Sequence, residues 1–265
     1  MNKSKKNIVL KTDDLCIGYQ SKKSVKVIQK NIDLSFEKGE LIAVLGKNGV
    51  GKSTLLKTLS GAHKAISGDI KINDKKNTNF TDLELAKVLS LVLTENIPTS
   101  RLTVYELVAL GRQPYTNWVD TLTEKDLNAI EKAFELTEIE HLKNNYFFEL
   151  SDGQLQRVLI ARAIAQDTDI VILDEPTNHL DIHHTYKILS LLKKLVKQTH
   201  KTIIFSTHEV NLAIKIADNF VLLTDNNLEY GSASELIHKK SFHKLFPEDV
   251  IYFDDELKQF IIKNI

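Results

Sequence analysis

The apolar run Leu41-Ile42-Ala43-Val44-Leu45 leads straight into Gly46-Lys47-Asn48-Gly49-Val50-Gly51-Lys52-Ser53-Thr54. An unbroken apolar run is what a strand buried on both faces requires. The G-x4-G-K-S/T spacing after it leaves the chain few options. Its three glycines open backbone geometries that side chains forbid, so successive N–H groups can turn onto an anion. Lys52–Ser60 then carries Leu55, Leu56 and Leu59 on one helical face, with Gly61 as a stop. The loop therefore ends at a helix N-terminus, with its partial positive charge. Strand, loop and helix in that order predict a phosphate cradle. Lys52 is expected to reach the β- and γ-phosphates of a nucleoside triphosphate, and the Ser53 hydroxyl to ligate Mg²⁺.

A second strand end complements the first. Asp169-Ile170-Val171-Ile172-Leu173-Asp174-Glu175-Pro176 places two carboxylates after an apolar run. Asp174 is expected to hold Mg²⁺ through water. Glu175 is placed to orient and deprotonate an attacking water. An acidic strand end alone is often a solvated cap; beside a phosphate cradle it supplies what hydrolysis needs.

Around these two sites the pattern alternates. Ile8–Leu10 and Leu15–Tyr19 read as extended, Ser21–Ser24 as a hairpin loop, and Val25–Phe36 as one near-alternating strand. Val104–Leu110, Glu124–Leu136 (with Thr123 as N-cap) and Ser151–Ala165 read as helices. Strand Ile170–Leu173, helix His184–Lys197, strand Thr202–Ser206 and helix Val210–Ala217 follow, and Phe220–Tyr230 reads as a late hairpin. Buried strands alternating with helices predict an α/β fold with a mostly parallel sheet and a helical insertion.

Bulk properties narrow the function classes. Lys+Arg and Asp+Glu both number 35, so the formal net charge is zero, which argues against a general nucleic-acid binder. Cys16 is the only cysteine, which rules out an intramolecular disulfide and a cysteine zinc site and fits a reducing cytoplasm. The Lys-rich start is followed by no apolar stretch of signal-peptide length, and no run of about 18 apolar residues is present to span a bilayer. The chain is expected to be cytoplasmic, reaching a membrane only through a partner.

Leu150-Ser151-Asp152-Gly153-Gln154 resembles the LSGGQ signature of the ABC ATPases. Asn178-His179-Leu180-Asp181 resembles that family's D-loop, His208 its switch histidine, and Tyr19 the aromatic residue that stacks on adenine. The matches run in the right order over nearly the whole chain. The resemblance implies a single P-loop NTPase domain over 1–265. Core and N-terminal antiparallel β subdomain would occupy about 1–93 and 157–265, and an α-helical signature subdomain about 94–156. It implies that ATP is bound by Tyr19, Gly46, Lys47, Asn48, Gly49, Val50, Gly51, Lys52, Ser53 and Thr54. Ser151, Asp152, Gly153, Gln154 and Asp181 would act across a head-to-tail homodimer. Glu175, His208 and Lys52 would be the catalytic set, and Ser53 and Asp174 the metal ligands.

Two departures stand out. The family's Gln at the core–helical junction, which touches Mg²⁺ and the γ-phosphate, falls on Thr94 here, and Thr94 is expected to keep that role in weakened form. Asp152 replaces a glycine of the signature and is expected to cap its own helix. The segment Leu102–Tyr115, with its Gly111-Arg112-Gln113-Pro114 turn, resembles ATPases of iron-chelate, haem and vitamin B12 importers. That implies integral membrane permease subunits and, indirectly, a substrate-binding protein as partners. Two other readings stay open at this level: a soluble ABC ATPase acting on ribosomes or nucleic acid, and a low-turnover regulatory module.

Overall fold

The structure is a computed structural model that describes residues 7–22, 24–93, 101–116, 121–225, 227–247 and 249–263. Thirteen strands and eight α-helices are described. The first stretch comprises β1 (Ile8–Gln20), β2 (Val25–Ile32), β3 (Ser35–Glu37), β4 (Leu41–Gly46), α1 (Lys52–Leu59), β5 (Ser67–Ile72), β6 (Lys75–Lys76), α2 (Asp82–Ala86) and β7 (Leu89–Val92). A helical stretch follows, with α3 (Val104–Ala109), a 3₁₀ turn over Leu110–Tyr115, α4 (Glu124–Thr137) and α5 (Asp152–Ala165). The chain then returns through β8 (Ile170–Leu173), α6 (Ile182–Thr199), β9 (Thr202–Ser206), α7 (Val210–Ile216), β10 (Asn219–Leu223), β11 (Leu228–Ser232), α8 (Ala233–His238), β12 (Ile251–Asp254) and β13 (Gln259–Ile262).

The central sheet has the order β11-β10-β4-β9-β8-β7, parallel from β10 to β7 with β11 antiparallel at one edge. β4, β8 and β9 are buried along their whole length, as the apolar runs of β4 and β8 and the Ile203–Phe205 centre of β9 require. Side chains alternate across the sheet. Leu41, Ala43, Leu45, Val171, Leu173, Ile203 and Phe205 enter one core, together with Leu107, Phe134, Val158 and Leu192 from the helices. Ile42, Val44, Ile170, Ile172 and Ile204 enter a second core, against Leu55, Leu56 and Leu59 of α1 and the N-terminal sheet. Each fully buried leucine or isoleucine contributes about 1.5–3 kcal/mol relative to exposure. The α/β class, the mostly parallel sheet, the N-terminal antiparallel sheet and the helical insertion are all present.

The N-terminal region differs in detail from the pattern reading. Ile8–Leu10 and Leu15–Tyr19 are one strand, not two, because a bulge against β5 absorbs Asp14 and Leu15, with Asp14 at φ 46°. Conversely, Val25–Phe36 is two strands. β2 pairs with the second half of β1 and β3 with the first. The Thr12 hydroxyl holds the break, donating to the Ile32 carbonyl at 2.7 Å and accepting from the Leu34 N–H at 2.8 Å. α6 starts at Ile182, two residues before the expected His184, because Asp181 caps it.

Candidate functional site

The phosphate loop lies where β4 passes into α1. Gly49 has φ 78° and Gly51 φ 111°, conformations that favour glycine, and a Cβ on Gly51 would strike the Ile28 side chain. Lys52 is 4% exposed, and its ammonium donates to the carbonyls of Gly46 at 3.0 Å and Lys47 at 3.2 Å. Burial lowers its affinity for the proton, and the Glu175 and Asp174 carboxylates oppose that effect. The loop's own carbonyls thus hold the ammonium at the mouth of the cradle.

A network links the two acidic residues to β9. Asp174 Oδ1 accepts from the Ser53 hydroxyl at 3.1 Å and from the Ser206 hydroxyl at 2.7 Å. Ser206 Oγ in turn accepts from the Glu175 N–H at 2.8 Å. Glu175 itself has φ 49°, a left-handed conformation that costs a residue with a side chain about 1–3 kcal/mol. That geometry brings Glu175 Oε1 to 2.6 Å from His208 Nε2 and 4.0 Å from Lys52 Nζ. One carboxylate oxygen faces both the imidazole and the ammonium. The Thr177 and Thr207 hydroxyls pair at 3.1 Å, tying the stretch after β8 to the stretch after β9.

On the other side of the loop stands Tyr19. Its hydroxyl is 3.1 Å from that of Thr54, and its ring packs on His63 at 5.1 Å between centroids. Tyr19 is 52% exposed, which leaves room for a ring to stack on it. A cavity of about 400 Å³ joins these parts, lined among others by Tyr19, Asn48, Gly49, Lys52, Ser53, Glu175 and His208. Its polar end offers backbone N–H groups and an ammonium, its far end an aromatic face. That is the layout for a nucleoside triphosphate. Ser53 Oγ and Asp174 Oδ1 are hard oxygen donors close enough to share one ion. Among the described residues no group of three or more His, Cys, Asp or Glu residues is placed to hold a metal. A donor set of one hydroxyl and one carboxylate fits Mg²⁺, which takes its other ligands from phosphate oxygens and water.

The signature residues are elsewhere. Ser151, Asp152, Gly153, Gln154 and Asp181 do not line this cavity. They sit at the starts of α5 and α6, with Ser151, Asp152 and Asp181 exposed and Gly153 buried. Ser151 is the N-cap of α5, accepting from the Gln154 N–H, and the Gln154 side chain accepts from the Ser151 N–H at 3.0 Å. The expectation that Asp152 caps this helix is corrected. Asp152 is exposed in the first turn, where its charge favours the helix dipole. Thr94 lies outside the described residues. Ser206, Thr177, Thr207 and His63 were not singled out from the sequence. A serine directly after the apolar run Ile203–Phe205 is the only available signal, and it marks Ser206 alone.

Comparisons with known proteins agree with this layout. Residues 29–178 match the family model described as ABC transporter. The petrobactin import ATP-binding protein of Bacillus subtilis is 37% identical over 222 residues, covering 83% of this chain and 87% of that protein. An inward-facing transporter structure, described as of metal-chelate type, has a chain that matches with TM-score 0.78 at 28% identity, over 96% of both chains. A dimeric ATP-binding cassette with ADP and Pi bound matches with TM-score 0.71 at 29% identity, over 84% of this chain and 98% of that one.

Proposed function

Since this chain belongs to the ABC transporter ATP-binding family and is an ATPase of that kind, we propose that it energises an importer of iron–siderophore or a related metal chelate such as haem or cobalamin. The observation that carries the catalytic half is the contact of Glu175 with His208 beside the buried Lys52 at the phosphate loop. The loop N–H groups and Lys52 bind the phosphate chain, and Tyr19 carries the base. Glu175 takes the proton of the attacking water, and His208 holds that carboxylate in line. Mg²⁺, held by Ser53 and Asp174, supplies charge neutralisation on the phosphate oxygens when bound.

The chain offers the cavity on one surface and Ser151, Gly153 and Asp181 on another. Two copies placed head to tail would complete two sites. The cassette relative that is dimeric with ADP and Pi supports this arrangement. Thr94 is proposed as a weak substitute for the junction Gln, and the division at about 94–156 as the unit that carries the signature. The petrobactin relative and the Leu102–Tyr115 segment support the chelate class. Among the described residues no helix is long and apolar enough to cross a membrane, so permease subunits would provide the attachment.

The test is capture. Tagged Glu175→Gln protein, loaded with ATP, is recovered from native membranes and its companions identified by mass spectrometry. A polytopic permease with a substrate-binding lipoprotein is expected. Ribosomal or DNA-associated companions with no membrane protein would overturn the importer reading and leave the ATPase.

A further inference from the structure

We propose that His184 is a positioning residue that braces Asp181 against the start of α5, setting the half-site one subunit offers to its partner's nucleotide. It rests on the head-to-tail dimer proposed above. Asp181 Oδ1 accepts from the His184 backbone N–H at 2.8 Å, the ordinary bond of a helix N-cap. The imidazole then turns back on the same carboxylate, with Nδ1 at 3.0 Å from Oδ1 and 2.9 Å from Oδ2. A carboxylate brings no proton to that contact, so Nδ1 carries it. Together these bonds, the backbone one foremost, hold the Asp181 carboxyl below its ordinary range.

The carbon edge of the same ring meets α5. Gly153 is buried, and the three atoms nearest to where a Cβ would stand on it all belong to His184: Cδ2 at 2.9 Å, Cγ at 3.4 Å and Cβ at 3.7 Å. The missing side chain of Gly153 is therefore the space that the imidazole fills. The His183 ring stands edge-on at 5.6 Å on the adjoining side. A helix cap needs only the first of these contacts. The packing on Gly153 joins the starts of two separate helices, α6 and α5. Asp181 and His184 are 63% and 48% exposed, so the brace adds little to the core. What it fixes is direction: where the Asp181 carboxylate and the N-terminal N–H groups of α5 point relative to each other.

The experiment uses the full chain. Affinity of the single subunit for a fluorescent ATP analogue reads the phosphate-loop side alone. Light scattering of the Glu175→Gln form with ATP reads dimerisation, and steady-state turnover reads kcat. His184→Ala is expected to leave analogue affinity and melting temperature unchanged. It should weaken ATP-driven dimerisation and lower kcat by roughly five- to tenfold, the loss of one solvent-exposed hydrogen bond. His184→Asn, whose amide still donates to Asp181, should recover most of both. Because His184 acts through Asp181, the double variant with Asp181→Ala should be no worse than Asp181→Ala alone. Unchanged dimerisation and turnover in His184→Ala would overturn the proposal, as would additive losses in the double variant. If Glu175→Gln with native His184 stays monomeric in ATP, the dimer itself is wrong and the brace falls with it.

Discussion

Glu175 occupies a backbone conformation that its side chain disfavours, held there by the Ser206 hydroxyl on its N–H. The geometry points one oxygen at His208 and Lys52 together. Glu175→Gln keeps the size and the hydrogen-bonding capacity but removes the proposed base. Turnover is expected to fall roughly 10²–10⁴-fold with ATP binding retained, measured by phosphate release and by analogue titration. Ser206→Ala touches no nucleotide yet frees both Asp174 and the Glu175 backbone; retained turnover would show that the hydroxyl does not matter. Tyr19 makes a second, separable contribution. Loss of its ring should weaken ATP binding about fivefold, near 1 kcal/mol, while Tyr19→Phe keeps the stack and gives up only the Thr54 contact. At this scale the sequence was most legible where spacing alone dictates geometry. The phosphate loop and the Asp174-Glu175 pair are contiguous in the chain. Ser206, Thr177 and Thr207 act across strands that only the fold brings together. The Asp181–His184 contact is an i,i+3 capping pair that could be read ahead, but its packing on Gly153 could not.

Among the elements, the helical insertion depends on one buried ion pair. Arg112 donates through Nε to Asp126 at 2.9 Å and through a terminal nitrogen to the Ala165 carbonyl at 2.7 Å. Its guanidinium also lies over Tyr115, 3.9 Å from the ring centroid. The 3₁₀ turn, α4 and α5 are thereby joined at one charge. Burial pushes the Asp126 carboxyl up, but hydrogen bonds from Thr123 and Arg112 overcome this and leave it below its ordinary range. Asp126→Ala strands the arginine, and a loss of about 3–5 kcal/mol is expected, read as a lower denaturant midpoint. The sequence marked Arg112 only by resemblance, because a lone arginine before a proline gives no sign of burial. It was silent in a different way about β5, α2 and β7. Ser67–Ile72 has only two apolar positions, Ile70 and Ile72, and α2 spans only Asp82–Ala86. Such short pieces are specified by pairing partners rather than by their own pattern.

For the whole molecule, acid removes particular pairs and also leaves the 35 Lys and Arg unopposed as carboxylates protonate. Hydrogen bonds from Lys11 and Lys71 pull the Asp13 carboxyl down to about 2. Asp126, Glu138 and Glu229 are likewise lowered. A carboxyl lower in the folded than in the unfolded chain binds its proton more readily on unfolding. Its stabilising effect is complete above the unfolded value near 3.8 and fades as pH falls toward 2. Melting temperature should therefore hold between pH 7 and 5 and drop steeply from pH 4 to 2. A flat profile there would count against these pairs.

The separation between the cavity and the Ser151–Gly153 surface has a genetic consequence. A subunit with Lys52→Ala and one with Ser151→Ala should each be inactive on its own. In a mixed pair of the proposed head-to-tail kind both lesions would fall on the same nucleotide, and the other nucleotide would meet an undamaged loop and an undamaged signature. Two null alleles expressed together should restore one working site per complex, whereas both changes placed in one subunit, paired with a normal chain, should damage both sites at once.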